Sequence, residues 1–340
     1  MAIVSSELSK TEQHELRRAT YLSLFISVLL LTAKFWAYNM TRSQAIFSDA
    51  VESIVNVLTA LGAILVITYS TRPADSGHPY GHGKVEYFSA AFEGGLIVFA
   101  SLFIFIEAVK ALTEGRTAQQ LDYGLAITVI AGLINLGLGL YLHKRGSEKG
   151  SVALRASAKH VISDFWTSLG VVVGLVLVYF TNLAWLDAAT AIVVGCLLAY
   201  SGLQLVRESI AGLMDKQDVK ILEELAQVFS ANVKEGIIQI HNVKTIRSGW
   251  YHHIDAHVVL PEFWTVKDVH SKIGQFEKDV IKSYPYGGEM NFHFDPCRQA
   301  YCRVCDLQNC PIRKEPFVER RSVEIRDLQS KVEPPEFRKR

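Results

Sequence analysis

Long apolar stretches dominate the first two thirds of the chain and alternate with short polar connections. Six of them lie at residues 19–37, 45–69, 85–112, 123–142, 151–180 and 184–206. Each is near or above the ~20 residues that a helix needs to cross the hydrocarbon core of a bilayer. Lipid offers no partners to unpaired backbone groups, so the six segments are predicted to be transmembrane helices. A large soluble all-α core is the alternative, and six such segments with short connections disfavour it.

The pattern changes after Met214. Two stretches are typical of amphipathic helices, and three others are typical of strands. In chain order they are a helix at 215–231, strands at 237–246 and 253–260, a helix at 265–283 and a strand at 289–294. The order αββαβ predicts a small α+β domain of roughly 80 residues.

These patterns divide the chain into three parts. Residues 1–214 are predicted to form the six-helix membrane domain, residues 215–296 the cytosolic αββαβ domain, and residues 297–340 a cysteine-rich segment with a charged tail. The tail carries many charges and several prolines, so we expect it to have little order.

Charge adds an orientation to this layout. The formal net charge is +1, so nothing in the overall balance indicates a nucleic-acid partner. Lysine and arginine are concentrated at the N-terminus and in two loops, 71–84 and 141–155, whereas the three opposite loops hold only Arg42 and Arg116. The positive side is cytoplasmic in membrane proteins, so both termini are predicted to face the cytosol.

Polar residues inside two apolar segments suggest chemistry. The second segment contains "SDAVESIVN", in which Glu52 and Asn56 are one helical turn apart, and the fifth contains "KHVISDF", in which His160 and Asp164 have the same spacing. An ionised side chain at mid-membrane costs at least ~2.5–3.5 kcal/mol on insertion scales. Two carboxylates, an imidazole and an amide oxygen can surround a divalent cation. A polar packing contact and a proton relay without metal are the alternatives.

Two further clusters lie outside the apolar segments. The loop "PADSGHPYGHGK" places Asp75, His78 and His82 within eight residues, which beside a transmembrane cation site suggests a second metal site. The cytosolic sequence "CRQAYCRVCDLQNC" supplies four thiols, which indicate zinc or another soft metal, with an iron–sulfur cluster or unligated thiols as alternatives. The four are Cys297, Cys302, Cys305 and Cys310. Cys196, in the sixth segment, is expected to be a small packing residue.

Taken together, the two one-turn pairs, the "HPYGHGKVE" loop and the six-helix plus αββαβ layout resemble the cation diffusion facilitator family over roughly residues 10–296. The resemblance implies a homodimeric exporter of divalent transition metals that exchanges metal for protons by alternating access. It also implies that the cytosolic domain is metallochaperone-like, with a ferredoxin-like αββαβ fold.

The resemblance also assigns residues. It places the transport site on Glu52, Asn56, His160 and Asp164. Zinc transporters of the family usually carry Asp or His at position 52 and Asp at position 56, so this chain departs at two of four ligands and the metal is open. Asp49 is a third carboxylate, a proton acceptor or a structural group. The resemblance supports the loop site and implies a cytosolic site near the dimer interface, formed by His241, His257, His270, His293 and Asp295. His252 and His253 match nothing and are expected at the surface.

The expected function is proton-coupled export of a divalent metal across a bacterial inner membrane, without enzymatic activity. Zinc is favoured, and iron, cobalt, nickel, manganese and cadmium remain possible by ligand type. A membrane-anchored cytosolic metal sensor is the main alternative, but a sensor does not need ligands inside the membrane. An intramembrane metalloenzyme is weaker still, because four protein ligands leave no open position for an activated water.

Overall fold

A computed structural model describes residues 10–114, 121–148, 152–181, 183–249, 251–332 and 337. The chain divides into two compact units, a membrane unit that ends at Met214 and a cytosolic unit that begins at Asp215. Each unit is described by itself.

Six helices form the membrane unit, and all six predicted segments are confirmed as helices. They are α1 (Lys10–Thr41), α2 (Gln44–Ser70), α3 (Val85–Glu114), α4 (Leu121–Glu148), α5 (Val152–Thr181) and α6 (Trp185–Leu213). Each is long and apolar enough to cross a membrane. Helix α3 packs along α6, α4 along α5, and α1 along α2.

The crossing of α3 and α6 depends on two glycines. A Cβ atom added at Gly94 would lie 2.7 Å from the carbonyl oxygen of Gly202, and one added at Gly202 would lie 2.8 Å from the carbonyl oxygen of Gly94. Only residues without a side chain allow the two backbones to approach this closely, as in other small-residue contacts between membrane helices. On α6, Cys196 lies off the buried face and is exposed, so its expected packing role is not what the structure shows.

A buried carboxylate from α6 holds the start of α2. Asp187 is 5% exposed. It accepts hydrogen bonds from the Ser43 hydroxyl at 2.5 Å and from the backbone N–H groups of Gln44 at 2.6 Å and Ala45 at 3.2 Å. The first N–H groups of a helix have no partner within the helix, so Asp187 satisfies donors that lipid would leave unpaired.

The cytosolic unit has the predicted αββαβ order. It consists of α7 (Val219–Asn232), β1 (Gln239–Ser248), β2 (Tyr251–Leu260), α8 (Val266–Ser283) and β3 (Gly287–Pro296). Strand β2 is central, antiparallel to β1 and parallel to β3. Helix α7 begins later than predicted because the Asp218 side chain accepts a hydrogen bond from the Lys220 N–H and caps it.

The tail is more ordered than its composition predicts. A 3-10 turn (Gln299–Arg303) and a short helix α9 (Ile325–Gln329) follow β3. Leu328 is fully buried in the core of the cytosolic unit, and the Asn242 N–H donates to the Ser330 carbonyl at 2.9 Å. The expectation of little order was wrong here, because a few apolar residues among many charges are enough to anchor the segment.

Candidate metal sites

Helices α2 and α5 bring the four predicted ligands of the membrane unit together; we call Glu52, Asn56, His160 and Asp164 the ligand quartet. Each of the four side chains is at most 8% exposed. The Asn56 amide donates to Asp164 Oδ2 at 2.5 Å, and His160 Nδ1 lies 3.5 Å from Asp164 Oδ1. The one-turn spacing read from the sequence therefore places all four residues at one helix–helix contact.

The ligand quartet is incompletely hydrogen-bonded. Asn56 Oδ1, His160 Nε2 and Asp164 Oδ1 are buried and have no hydrogen-bond partner among the described residues. Because the carboxylate of Asp164 accepts from the Asn56 NH₂ group, the Asn56 oxygen is left as the free atom. Buried polar atoms without partners are costly, and a cation is one partner that would satisfy them. Among the described residues, the ligand atoms of Glu52, His160 and Asp164 do not all lie within 4.8 Å of one another, so a shared cation would draw them together.

Two residues beside the quartet were missed by sequence reasoning. The Thr167 hydroxyl on α5 lies 3.0 Å from Glu52 Oε2 and 2.9 Å from the Asp164 carbonyl oxygen, so it orients the Glu52 carboxylate. Glu93 on α3 is 6% exposed, and its Oε1 has no hydrogen-bond partner among the described residues. Its carboxylate is close enough to His160 and Asp164 to interact electrostatically. An acidic residue inside an apolar segment was the signal that could have identified Glu93.

Asp49 belongs to a different cluster. It forms an ion pair with Lys34, which we call the closed pair, and Ser168 lies beside it. Lys34 Nζ lies 2.8 Å from Asp49 Oδ1, and both side chains are 1% exposed. The Ser168 hydroxyl donates to the same oxygen at 2.6 Å. Of the three roles left open for Asp49, this geometry supports the structural one.

A narrow cavity leads away from the quartet. Asn56 and His160 form part of its wall. Other lining residues lie near the start of α1, the end of α4 and the start of α5, namely Thr20, Leu142 and Leu154. The cavity therefore lies on the side of the quartet that is nearer to the end of the helix bundle at which α1 begins.

The loop site is assembled as the sequence predicts. Ligand atoms of Asp75, His78 and His82 all lie within 4.8 Å of one another. Asp75 Oδ1 accepts from the backbone N–H groups of Gly77 at 2.9 Å and His78 at 2.7 Å. The bond from the His78 backbone is the main reason that the pKa of the Asp75 carboxyl is lowered, which favours the ionised, ligating form.

Strand register aligns three histidines in the cytosolic unit. His241 of β1 is paired with His257 of β2, which is paired in turn with His293 of β3. Ligand atoms of His241, His257 and Asp295 lie within 4.8 Å of one another. Burial lowers the pKa of His241, which favours the neutral imidazole that binds metal.

The other two histidines predicted around this site differ from each other. The His293 ring lies with its centroid 4.5 Å from that of His257, and Nε2 is 3.6 Å from Asp295 Oδ1, so it borders the site. His270 is exposed on α8 and is not part of the group of close ligand atoms found among the described residues. The sequence could not show that His270 would lie on the exposed face of α8, apart from the other ligands of its own chain.

His252 and His253 were expected at the surface, and this prediction was wrong. Their side chains are buried, at 3% and 6% exposed. His252 Nδ1 lies 2.7 Å from the Tyr284 hydroxyl, and His253 Nδ1 lies 2.8 Å from Glu289 Oε1. Strand alternation buries polar residues when they have partners on neighbouring elements, and those partners were not visible in the local sequence.

Comparison with known proteins agrees with this geometry. Residues 20–214 match the family model described as "Cation efflux transmembrane domain", and residues 218–297 match "Cation efflux protein, cytoplasmic domain". The chain belongs to the cation diffusion facilitator family. The resemblance inferred from its motifs is thereby confirmed, and the cytoplasmic-domain match indicates dimerisation.

Several relatives align with most of this chain. "Uncharacterized transporter sll1263" of Synechocystis sp. is 34% identical over 81% of this chain and 88% of its own length. "Cation-efflux pump FieF" of Cronobacter sakazakii is 29% identical over 82% of this chain and 92% of its own. "Manganese efflux system protein MneP" of Bacillus subtilis is 26% identical, with coverage of 82% and 96%. The family member is thus an integral membrane protein and a cation efflux transporter.

Proposed function

We propose that this transporter exports a divalent first-row transition metal from the cytosol in exchange for protons, and that the ligand quartet is its transport site. The observation that carries the proposal is the set of three buried atoms, on Asn56, His160 and Asp164, that have no hydrogen-bond partner in the part of the chain that the structure describes. In the closed pair, by contrast, the carboxylate has a cationic partner in Lys34, although its second oxygen, Asp49 Oδ2, also has no hydrogen-bond partner among the described residues. Transport rather than catalysis is the role that such a site supports.

The donor set leaves several metals in competition. Three oxygen donors and one imidazole nitrogen suit zinc, and they suit iron and manganese as well. We favour zinc because the loop and cytosolic sites are rich in histidine, while relatives of this chain are named as a cation-efflux pump and a manganese efflux system protein. Asn56, which is neutral, and Glu52, which is longer than Asp, are the residues we expect to set the preference.

Protons and metal compete for the same atoms. An imidazole binds metal only when it is neutral, and carboxylates bind when they are ionised, so metal entry releases protons from the quartet. We propose Glu93 as an acceptor for one of them, since it is buried and interacts electrostatically with His160 and Asp164. We propose that metal enters from the side of the cavity beside Asn56 and His160, which would widen on opening to the cytosol, the side that we also propose for both termini.

The His241, His257 and Asp295 group is proposed as a regulatory site in a homodimer embedded in the bacterial inner membrane. Its ligand atoms are close together in one chain, and the partner subunit would complete the coordination, with His270 as a candidate from the facing copy. Metal bound between two subunits adds its binding free energy to their association.

Flux in proteoliposomes tests the transport site. Purified protein is reconstituted with an imposed pH gradient, and uptake of zinc, iron, cobalt, nickel, manganese and cadmium is measured separately. We expect Asp164→Asn, which is isosteric, to reduce flux to the level of empty vesicles, because it removes one of two charged ligands. Asp122→Asn, on the exposed side of α4, is the matched control and should transport normally. Normal flux in Asp164→Asn, or flux that ignores the pH gradient, would refute the proposal.

A further inference from the structure

Four cysteines surround one pocket at the end of the cytosolic sheet. They are Cys297 directly after β3, Cys302 in the 3-10 turn, and Cys305 and Cys310 in the loop that follows. Three cationic residues, Arg298, Arg313 and Lys314, line the same pocket. The family match ends at residue 297, so three of the four cysteines lie beyond the part of the chain that the family accounts for.

One guanidinium group shapes the loop that carries the cysteines. Arg313 Nη1 donates to the Cys302 carbonyl at 2.8 Å, and Nη2 donates to the carbonyls of Cys305 at 2.9 Å and Leu307 at 2.7 Å. The planar fork of an arginine side chain fixes the acceptors that it joins. The backbone that carries Cys302 and Cys305 is therefore held in a defined curve around the pocket.

Backbone donors also point at the sulfur atoms. The Lys314 N–H donates to Cys302 Sγ at 3.4 Å. The backbone of Glu262 donates to Cys297, and that of Leu307 donates to Cys305. Hydrogen bonds of this kind stabilise a thiolate more than a thiol, so at three of the four sulfurs they offset part of the cost that burial imposes on a thiolate.

We propose that Cys297, Cys302, Cys305 and Cys310 form a four-thiolate site for one soft divalent cation of the zinc class. Thiolates select soft metals, and four of them close a tetrahedral shell, which makes the site structural rather than part of the transport path. Each ligand releases its thiol proton on binding. The complex of four thiolates and one divalent cation carries two negative charges, which the surrounding cationic side chains offset.

Metal binding would contract the loop. Among the described residues, no three cysteine sulfurs lie within 4.8 Å of one another. Zinc–sulfur bonds are about 2.3 Å long, so ligation draws the sulfurs inward. Cys305 packs in a small core with Ile238, Val259 and Tyr301, so the metal would fasten the cysteine segment to the sheet. Burial raises the pKa of the Cys297 and Cys305 thiols.

Cobalt binding to the reduced full-length protein in detergent tests this site separately from all the others. Sulfur-to-cobalt charge-transfer bands arise only from thiolate ligands, so the transport, loop and histidine sites do not contribute to them. We expect these bands to saturate at one cobalt per chain and to disappear when zinc is added. Cys302→Ser should lose most of their intensity. Cys196→Ser, which changes the fifth cysteine on α6, is the control and should keep all of it.

A second measurement needs no variant. Mass spectrometry after alkylation should count five reactive thiols per chain with chelator, and one, Cys196, after addition of one zinc equivalent beyond the histidine sites. Unchanged alkylation with zinc, or the absence of charge-transfer bands in protein with five reduced thiols, would overturn the proposal. Protein that is purified with iron and acid-labile sulfide would overturn it too, because the thiols would then hold an iron–sulfur cluster.

Discussion

Two buried polar clusters include carboxylates of α2, and they differ in whether a lysine lies against the carboxylate. In the closed pair, Lys34 neutralises Asp49 and Ser168 adds a hydrogen bond to the same oxygen. The ligand quartet begins one turn further along α2 at Glu52, and three of its atoms have no hydrogen-bond partner within the described ranges. The sequence shows both as charges in an apolar helix. The closed pair also keeps one such atom, Asp49 Oδ2, so what separates the two clusters is whether a lysine lies against the buried carboxylate, and charge in an apolar helix does not by itself indicate a proposed ligand.

The largest effect is expected from removing the cation of the closed pair. Lys34→Met leaves the Asp49 carboxylate buried without its partner, which typically costs 3–5 kcal/mol. We expect a strong loss of thermal stability in detergent, measured as the temperature of unfolding. Lys34→Met combined with Asp49→Leu should recover most of that loss, because both charges are then gone. If the double variant is as unstable as the single one, Asp49 does more than neutralise Lys34.

The comparison extends to the cytosolic unit through His252, whose Nδ1 has a hydrogen-bond partner in the Tyr284 hydroxyl. Burial lowers the pKa of His252 to about 4, so the folded state binds fewer protons than the unfolded state below pH ~6.5. Stability is therefore lost as pH falls from ~6.5 towards 4, by roughly 3 kcal/mol from this residue. His252→Gln should flatten that loss in denaturant unfolding of the fragment from Asp215 onward, with chelator present. An unchanged pH slope would mean that other histidines, such as His241, carry it.

His160, whose Nε2 has no hydrogen-bond partner among the described residues, should behave differently. Metal affinity of the quartet is expected to fall as pH drops from about 7.5 to 5.5, because protons compete with metal for His160. His160→Asn supplies an oxygen ligand that does not titrate, so it should reduce the pH slope by up to tenfold per unit while weakening binding less at high pH. Calorimetric titration of protein that lacks the loop and cytosolic histidines isolates the site. A preserved slope would assign the coupling to the carboxylates, with Glu93 the first to examine.

The smallest effect is expected from changing the charge of the quartet without changing its shape. Asn56→Asp adds a carboxylate and gives the residue that zinc transporters of the family usually carry. We expect metal binding to persist and the ratio of zinc flux to manganese flux to rise severalfold, since a more anionic set favours the more polarising ion. The six-metal flux panel measures that ratio. An unchanged ratio would remove Asn56 from the determinants of selectivity.

Much of this arrangement was visible in the sequence for a physical reason. Hydrophobic length fixes the six helices, and one-turn spacing fixes which ligands share a helix face, so the quartet follows directly. What could not be read was pairing between elements that are distant in sequence. Lys34 with Asp49, Asp187 with the start of α2, and His252 with Tyr284 all depend on packing. The tail was misjudged because its average charge conceals Leu328, which is fully buried.

The Asp187 cap has a consequence for biogenesis. Helix α2 carries two ligands of the quartet, yet the carboxylate that satisfies its first backbone donors is 143 residues away from Gln44 in the sequence. During synthesis, the first backbone N–H groups of α2 therefore have no Asp187 carboxylate to donate to until α6 has been made. A nascent chain halted before α6 would hold α2 with unsatisfied donors at its N-terminal end. The helix that carries Glu52 and Asn56 is therefore complete only after α6 has been made, because lipid supplies no substitute for the Asp187 carboxylate.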